Sequence, residues 1–290
     1  MATSYSSLHF CTFSKLSSVT KPKVTLPSSS YKPITASFEH YTSWARVNNE
    51  VEAHIQHVLA GKQPTSIYEP MSHLIVEVPR SMAPALCIAA CEVVGGDKEK
   101  AIPAASALHL MHIATYTHEY LQLSEQSIPW PIMDMLLAAM EEQPDINPDH
   151  ILRVMVEIGR AMGSEGLVYG QYLKMRSMGL VPDEPCEEGT IYEAFERKGG
   201  ALYSCGAACG AILGGGSDEE IEKLRRYGLY VGMIHNIMIH DVLGRDKKLL
   251  KLADSLRFLA LKELEGMKDK NIEKISGIID GFSAFLRPSS

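Results

Sequence analysis

Aromatic residues are scarce in this chain, 7% of 290 residues with only two Trp. Cysteine is scarce too: six residues, at positions 11, 87, 91, 186, 205 and 209, are too few at this length for a secreted disulfide scaffold. Basic charge is in deficit, with 28 Lys and Arg against 35 Asp and Glu and a net charge of −7. A body of that sign repels polyphosphate backbones, which argues against a nucleic-acid partner. No apolar run is long enough to cross a bilayer. The most apolar late stretch, Gly228 to Leu243, is interrupted by His235, Asn236, His240 and Asp241, far short of ~20 uninterrupted apolar residues. The common catalytic signatures are missing as well. Gly214-Gly215-Gly216 lacks the Lys-Ser/Thr of a phosphate-cradling loop, and there is no nucleophile elbow, no His-Glu-x-x-His and no paired Cys-x-x-Cys. Sustained alternation of apolar and polar residues is absent, as is any repeat of fixed period, which excludes a β-rich fold and a solenoid.

What is there begins with an unusual first segment. Residues 1–37 hold fifteen Ser or Thr, three Pro and no acid, and Lys15, Lys21, Lys23 and Lys32 give the first 38 residues a charge of +4, leaving −11 on the rest. Such a segment buries too little apolar surface to offset its ordering entropy. The composition predicts a disordered organellar transit peptide over 1–38, and cations that are all Lys, with no Arg before Arg46, lean towards the plastid. The folded body is expected over 39–290.

That body reads as helix almost throughout. Trp44, Val47, Val51, Ile55, Val58 and Leu59 recur at spacings of three and four. Pro84 to Val94 is apolar on nearly every side and predicts a buried helix. Further helices are expected from Glu99 to Leu123, Asp149 to Met178, Ile191 to Leu213, Lys247 to Lys268 and Asn271 to Phe285. Ser217-Asp-Glu-Glu220 has the form of a capping box opening a helix to Leu243. About nine or more helices with two almost wholly apolar ones indicate a single all-α domain.

Two features invite a chemical reading. Cys87-Ile-Ala-Ala-Cys91 and Cys205-Gly-Ala-Ala-Cys209 each place two thiols on one helical face. Facing one another, they would offer four thiolates to Zn²⁺ or a redox pair; as small apolar residues, they would suit close helix packing within the fold or across an interface. Five histidines (His109, His112, His118, His235 and His240) lie on apolar helices, a place where a core or interface role is commoner than ligation.

Three segments then carry a resemblance: Ala85 to Gly96, Gly163-Ser-Glu-Gly-Leu-Val-Tyr-Gly-Gln171 and Gly210 to Arg225 resemble plant geranylgeranyl diphosphate synthases, over roughly Phe38 to Leu286. The resemblance implies the all-α isoprenoid (polyprenyl) synthase bundle, dimers, and condensation of isopentenyl diphosphate with an allylic diphosphate on Mg²⁺ held by two aspartate-rich motifs. Hard cations need clustered carboxylates across a cavity, and here the chain departs. At the first motif stand Glu119, Tyr120 and Glu125, with Ser127-Ile-Pro-Trp-Pro131 where a basic loop would begin; at the second stand His235, Asn236 and Ile239. In place of Gly-Gly-Lys-Arg-x-Arg-Pro the chain has Val78-Pro-Arg-Ser-Met-Ala-Pro84, keeping only the cation of Arg80. Lys198 survives, but Gly199 replaces the Thr beside it and Lys174 replaces an acid.

Lost aspartates joined to two Cys-x-x-x-Cys motifs look like the small subunits of heterodimeric geranyl(geranyl) diphosphate synthases of plastids. That resemblance implies a non-catalytic subunit without a cofactor of its own. It would join a catalytic large subunit, which holds the Mg²⁺, as a heterodimer or heterotetramer and change its rate and product length, with Cys87, Cys91, Cys205 and Cys209 as contact residues. It also leaves open a peripheral association with the thylakoid through partners. The alternatives are a weakly active prenyltransferase and a cysteine-based redox or zinc sensor on the same fold.

Overall fold

The structure is a computed structural model that describes residues 35–60, 80–120, 146–179, 189–240, 246–267 and 272–283, with isolated positions 62, 68, 75, 78 and 181 between them. The expected transit segment falls almost wholly outside the described residues; the first helix opens at Thr35, ahead of residue 39.

All regular structure among the described residues is helical: α1 (Thr35–Leu59), α2 (Ala83–Val93), α3 (Lys98–Tyr120), α4 (Pro148–Met162), α5 (Leu167–Ser177), α6 (Thr190–Phe195), a π turn (Glu196–Gly200), α7 (Ala201–Leu213), α8 (Asp218–His240), α9 (Lys247–Leu264) with a 3-10 turn (Glu265–Met267), and α10 (Glu273–Ser283). None of these helices is long and apolar enough to cross a membrane. The all-α expectation holds.

Helix α7 is the axis of the bundle. It lies between α2 and α8, with α3 and α4 along its other sides, and every residue of α7 except Ala201 and Ser204 is buried. Burial on all sides suits a helix whose residues are apolar all round. Its composition explains how near its neighbours come. A methyl group on Gly210 would stand 1.9 Å from the carbonyl oxygen of Cys87, and one on Gly206 would stand 3.0 Å from that of Ala83. On the other flank, a Cβ at Gly228 of α8 would lie 2.4 Å from the Tyr203 carbonyl oxygen, and one at Gly232 would lie 2.1 Å from that of Gly199. Backbones touch here, and no side chain separates them.

The capping box forms as expected: the Ser217 backbone N–H donates to Glu220 Oε2 at 2.8 Å, and the Glu220 N–H donates to Ser217 Oγ at 3.3 Å. Two expected helices are interrupted. The stretch from Asp149 to Met178 breaks at Gly163–Gly166, because a Cβ at Gly166 would fall 2.1 Å from the Ala161 carbonyl oxygen; only glycine lets the chain turn back so tightly against α4. The stretch from Ile191 to Leu213 carries the π turn at Glu196–Gly200, which pushes Lys198 and Gly199 towards α8. Such turns concentrate at functional sites. The ends expected near Leu123, Leu243 and Phe285 lie outside the described residues.

Candidate functional site

A cavity of about 580 Å³ opens between α3, α5, α6, the π turn and α8. Arg80 and Ser81 stand at its rim before α2; α3 supplies His112, Thr115 and Tyr116; α5 and the residue after it supply Leu167, Lys174, Ser177 and Met178; α8 supplies His235, Asn236, Ile239 and His240. The cavity therefore gathers residues at which the sequence departs from a synthase, Lys174, Gly199, His235, Asn236 and Ile239, together with the two cations it keeps, Arg80 and Lys198. The described lining contains no Asp or Glu.

At the second motif the donors do not fit magnesium. His235 faces the cavity with its ring 5.3 Å from that of Tyr203. Loss of solvation, with His112 close by, draws its pKa down to about 4, so the imidazole is neutral at physiological pH. The Asn236 amide donates towards the Phe195 carbonyl oxygen at 3.4 Å, and Ile239 is 47% exposed and offers no donor atom. Magnesium requires hard oxygen ligands in octahedral array. Among the described residues no group of three or more His, Cys, Asp or Glu is placed to hold a metal ion. At the first motif, Glu119 and Tyr120 end α3, but their side chains lie outside the described residues, as does Glu125 altogether.

Three cations line the cavity among the described residues. Arg80 is tied to α1: its guanidinium lies 2.8 Å from Glu52 Oε1 and donates to Asn49 Oδ1 at 2.7 Å. Lys198 lines the cavity from the π turn, and Lys174 from α5, where burial lowers the pKa of its ammonium. Gly199 has a reason of its own. A Cβ there would stand 2.2 Å from Asn236 Nδ2 and 2.6 Å from the Gly232 carbonyl oxygen, so the lost Thr and the substituted motif residue belong to one contact. Neither the motif pattern nor helical periodicity reveals that pairing, because positions 199 and 236 meet only through the π turn.

The four motif cysteines are deep in the α2–α7 packing, each 0–3% exposed. Cys205 and Cys209 have their sulfurs 3.8 Å apart, and the Cys91 thiol donates to the Asp97 carbonyl oxygen at 3.2 Å. All four are free thiols. Burial raises Cys87 well above the usual thiol range and, with the negative charges of Glu92 and Asp97, pushes Cys91 up to about 12. Cys209 is raised by its hydrogen bond with Cys205 and by burial. Such thiols stay protonated and unreactive. In this conformation none of them presents surface to a second chain. The residues that bring α2 and α7 together are Gly206 and Gly210, each one position beyond a cysteine. That small residues occupy this face is plain in the sequence; which of them makes the closest approach depends on the helices' rotation.

Exposed apolar side chains mark another face. Leu152 and Val156, one turn apart on α4, are 58% and 51% exposed, and Val168 at the start of α5 is 62% exposed. Leu152 and Val156 lie within α4, and Val168 follows the Gly163–Gly166 turn.

No protein-family model matches the chain. It is 39% identical over 269 residues to the heterodimeric geranylgeranyl pyrophosphate synthase small subunit 2, chloroplastic, of Cannabis sativa, spanning 84% of this chain and 92% of that one. The crystal structure of the geranyl diphosphate synthase small subunit from Antirrhinum majus matches with a TM-score of 0.68 at 37% identity, covering 83% of this chain and 98% of that one. A chain of a mint heterotetrameric geranyl pyrophosphate synthase, solved as a deletion mutant with ligands, matches with a TM-score of 0.67 at 34% identity, covering 82% and 98%. The bundle, the cavity and these likenesses agree, and the chain belongs to the family of small subunits of heterodimeric geranyl(geranyl) diphosphate synthases.

Proposed function

We propose that this chain is a non-catalytic regulatory subunit of a plastid geranyl(geranyl) diphosphate synthase. It associates with a catalytic large subunit, as a heterodimer or heterotetramer, and changes that subunit's rate and the ratio of geranyl to geranylgeranyl diphosphate. It carries no cofactor, and the Mg²⁺ that drives ionisation is bound by the partner. The observation that carries this reading is the lining of the cavity: His235, Asn236 and Ile239 stand where a diphosphate-binding metal would need carboxylates. Neutralising the charge that develops on a leaving group usually lowers the barrier more than any other effect in such catalysis, and without it the chemistry belongs to the other subunit.

The partner is expected to cover the exposed apolar side chains Leu152, Val156 and Val168, since exposed apolar surface is a common mark of a protein interface. Arg153 and Arg160 stand on the same helix, α4. Cys87, Cys91, Cys205 and Cys209 then serve association indirectly, by allowing α2 and α7 to pack closely and so fixing the shape of the subunit. The chloroplast is the expected compartment, in keeping with the acid-free Ser-rich segment at the front. Co-purification of the chain with a plastid geranylgeranyl diphosphate synthase, followed by product-length analysis of the complex, tests the reading. Altered product ratio in the joint peak supports it; separate elution with unchanged products contradicts it.

A further inference from the structure

Helix α9 (Lys247–Leu264) has two faces that differ in kind. Leu249, Ala253, Leu256, Ala260 and Leu264 recur at spacings of three and four and are buried, with α8 and α10 as the packing neighbours. That stripe holds the helix in the bundle. The other side is open: Lys247, Lys251, Ser255, Phe258 and Lys262 are exposed, with Leu259 beside them. Lys251, Phe258 and Lys262 follow one another at intervals of seven and four, so an aromatic ring stands between two cations along one line of the helix.

Helix stability does not explain these lysines. Lys247 and Lys248 open the helix, Lys251 lies one turn on, and the first turn holds no acid. Positive charge there opposes the helix dipole. Capping is left to Asp246, whose carboxylate accepts from the N–H groups of Lys248 and Leu249 at 2.8 and 3.3 Å. The helix carries five basic residues against two acids, Asp254 and Glu263, and Glu263 is taken up by the Arg226 guanidinium of α8 through two bonds of 2.9 Å. In a chain of net charge −7, this face therefore has the opposite sign to the whole.

Charge and shape together select the occupant. A second copy meeting this face α9 to α9 about a two-fold axis would set lysines against lysines. A bilayer is held by apolar side chains that reach below the head groups, whereas Phe258 and Leu259 are only 36% and 39% exposed. A negatively charged protein segment with apolar side chains of its own satisfies both features: its carboxylates meet Lys247, Lys251 and Lys262, and its apolar groups cover Phe258 and Leu259. We propose that the outer face of α9 is a docking surface for such an acidic protein segment. The proposal is independent of the regulatory reading, which assigns the synthase to Leu152 and Val156 of α4 and to Val168.

Fluorescence anisotropy with the full chain tests it. The probes are a labelled peptide built of Asp, Glu, Phe and Leu, the same peptide with Ala in place of Phe and Leu, and a Lys-rich peptide that keeps Phe and Leu. Co-sedimentation with vesicles of phosphatidylglycerol in phosphatidylcholine supplies the lipid arm. The acidic apolar peptide is expected to bind, with the Ala version about five-fold weaker and the Lys-rich version about ten-fold weaker or more. Added salt should weaken it further, and the vesicles should carry down no more chain than uncharged ones do. Lys251→Glu with Lys262→Glu should weaken the acidic peptide about ten-fold or more and Phe258→Ser about five-fold, with circular dichroism unchanged. Arg46→Glu, at an exposed cation of α1, should change it by less than about two-fold. No binding of the acidic apolar peptide, equal binding of the Lys-rich one, chain carried down by the anionic vesicles, or an equal loss in Arg46→Glu would overturn the proposal. Where an α9 variant fails to fold, the arms with the unaltered chain decide.

Discussion

Two regions of the molecule, some of whose residues are neighbours, follow opposite rules. Along the α2–α7–α8 seam, Gly206, Gly210, Gly228 and Gly232 let backbones meet so closely that one methyl group collides with a carbonyl oxygen. A few residues away, the cavity walls carry Ser81, Ala194 and the half-exposed Ile239 around open volume. In the seam, shape decides which residues are allowed. At the cavity only chemistry does, and under the proposed function, in which turnover belongs to the partner, those positions are free to change. The difference teaches where to look for inactivation in a retained fold: in polar residues around a cavity, not in the glycines that build it.

Equivalent substitutions in the two regions should separate them sharply. Gly210→Ala drives a Cβ to 1.9 Å from the Cys87 carbonyl oxygen, and overpacking against backbone that cannot yield is expected to cost about 3 kcal/mol or more. Chemical denaturation would show it as a fallen midpoint with little change in slope. Ile239→Ala at the cavity mouth should cost less than about 1 kcal/mol by the same measurement, because the side chain is half in solvent. Equal losses would erase the contrast.

The buried histidine of the core sharpens it through pH. His109 is 1% exposed, its Nε2 is 3.5 Å from the Ile75 carbonyl oxygen, and burial lowers its pKa to about 4. In the unfolded chain it titrates near ~6.5, so between those values the unfolded state binds the extra proton and stability rises with pH. Unfolding free energy should therefore fall as pH drops from about 6.5 to 4, by about 1 kcal/mol per pH unit for this residue. His109→Gln should flatten that slope when denaturation is followed across the window. His235 contributes in the same direction but less firmly, since its ring faces the cavity and meets whatever solvent enters there.

The smallest effect concerns the thiols. With Cys87, Cys91 and Cys209 buried and their pKa values raised, the four motif cysteines should resist a thiol reagent at neutral pH in the native chain, whatever Cys11 and Cys186 do, and should label once denaturant is added. Rapid labelling of all four in the native state would place them at a surface and return them to direct contact with a partner.

Much of this was legible in the sequence. Helix periodicity and the Ser217–Glu220 box were local patterns, so the all-α body could be read from them. The degenerate motif at His235, Asn236 and Ile239 was readable because a missing carboxylate is a change of residue type. Three things were not. The break at Gly163–Gly166 depends on how the chain folds back over Ala161. The π turn places Gly199 against Asn236, and no spacing rule foretells that. Close packing at the two Cys-x-x-x-Cys motifs was legible, but that Gly206 and Gly210 make the nearest approach depends on how the helices are rotated.

The central claim is that the chemistry belongs to the partner, and turnover by the isolated chain tests it most directly. With Mg²⁺, isopentenyl diphosphate and an allylic diphosphate, the purified full-length chain should yield no prenyl product above the protein-free rate. Mg²⁺-dependent product at a rate like that of a catalytic large subunit would contradict the account.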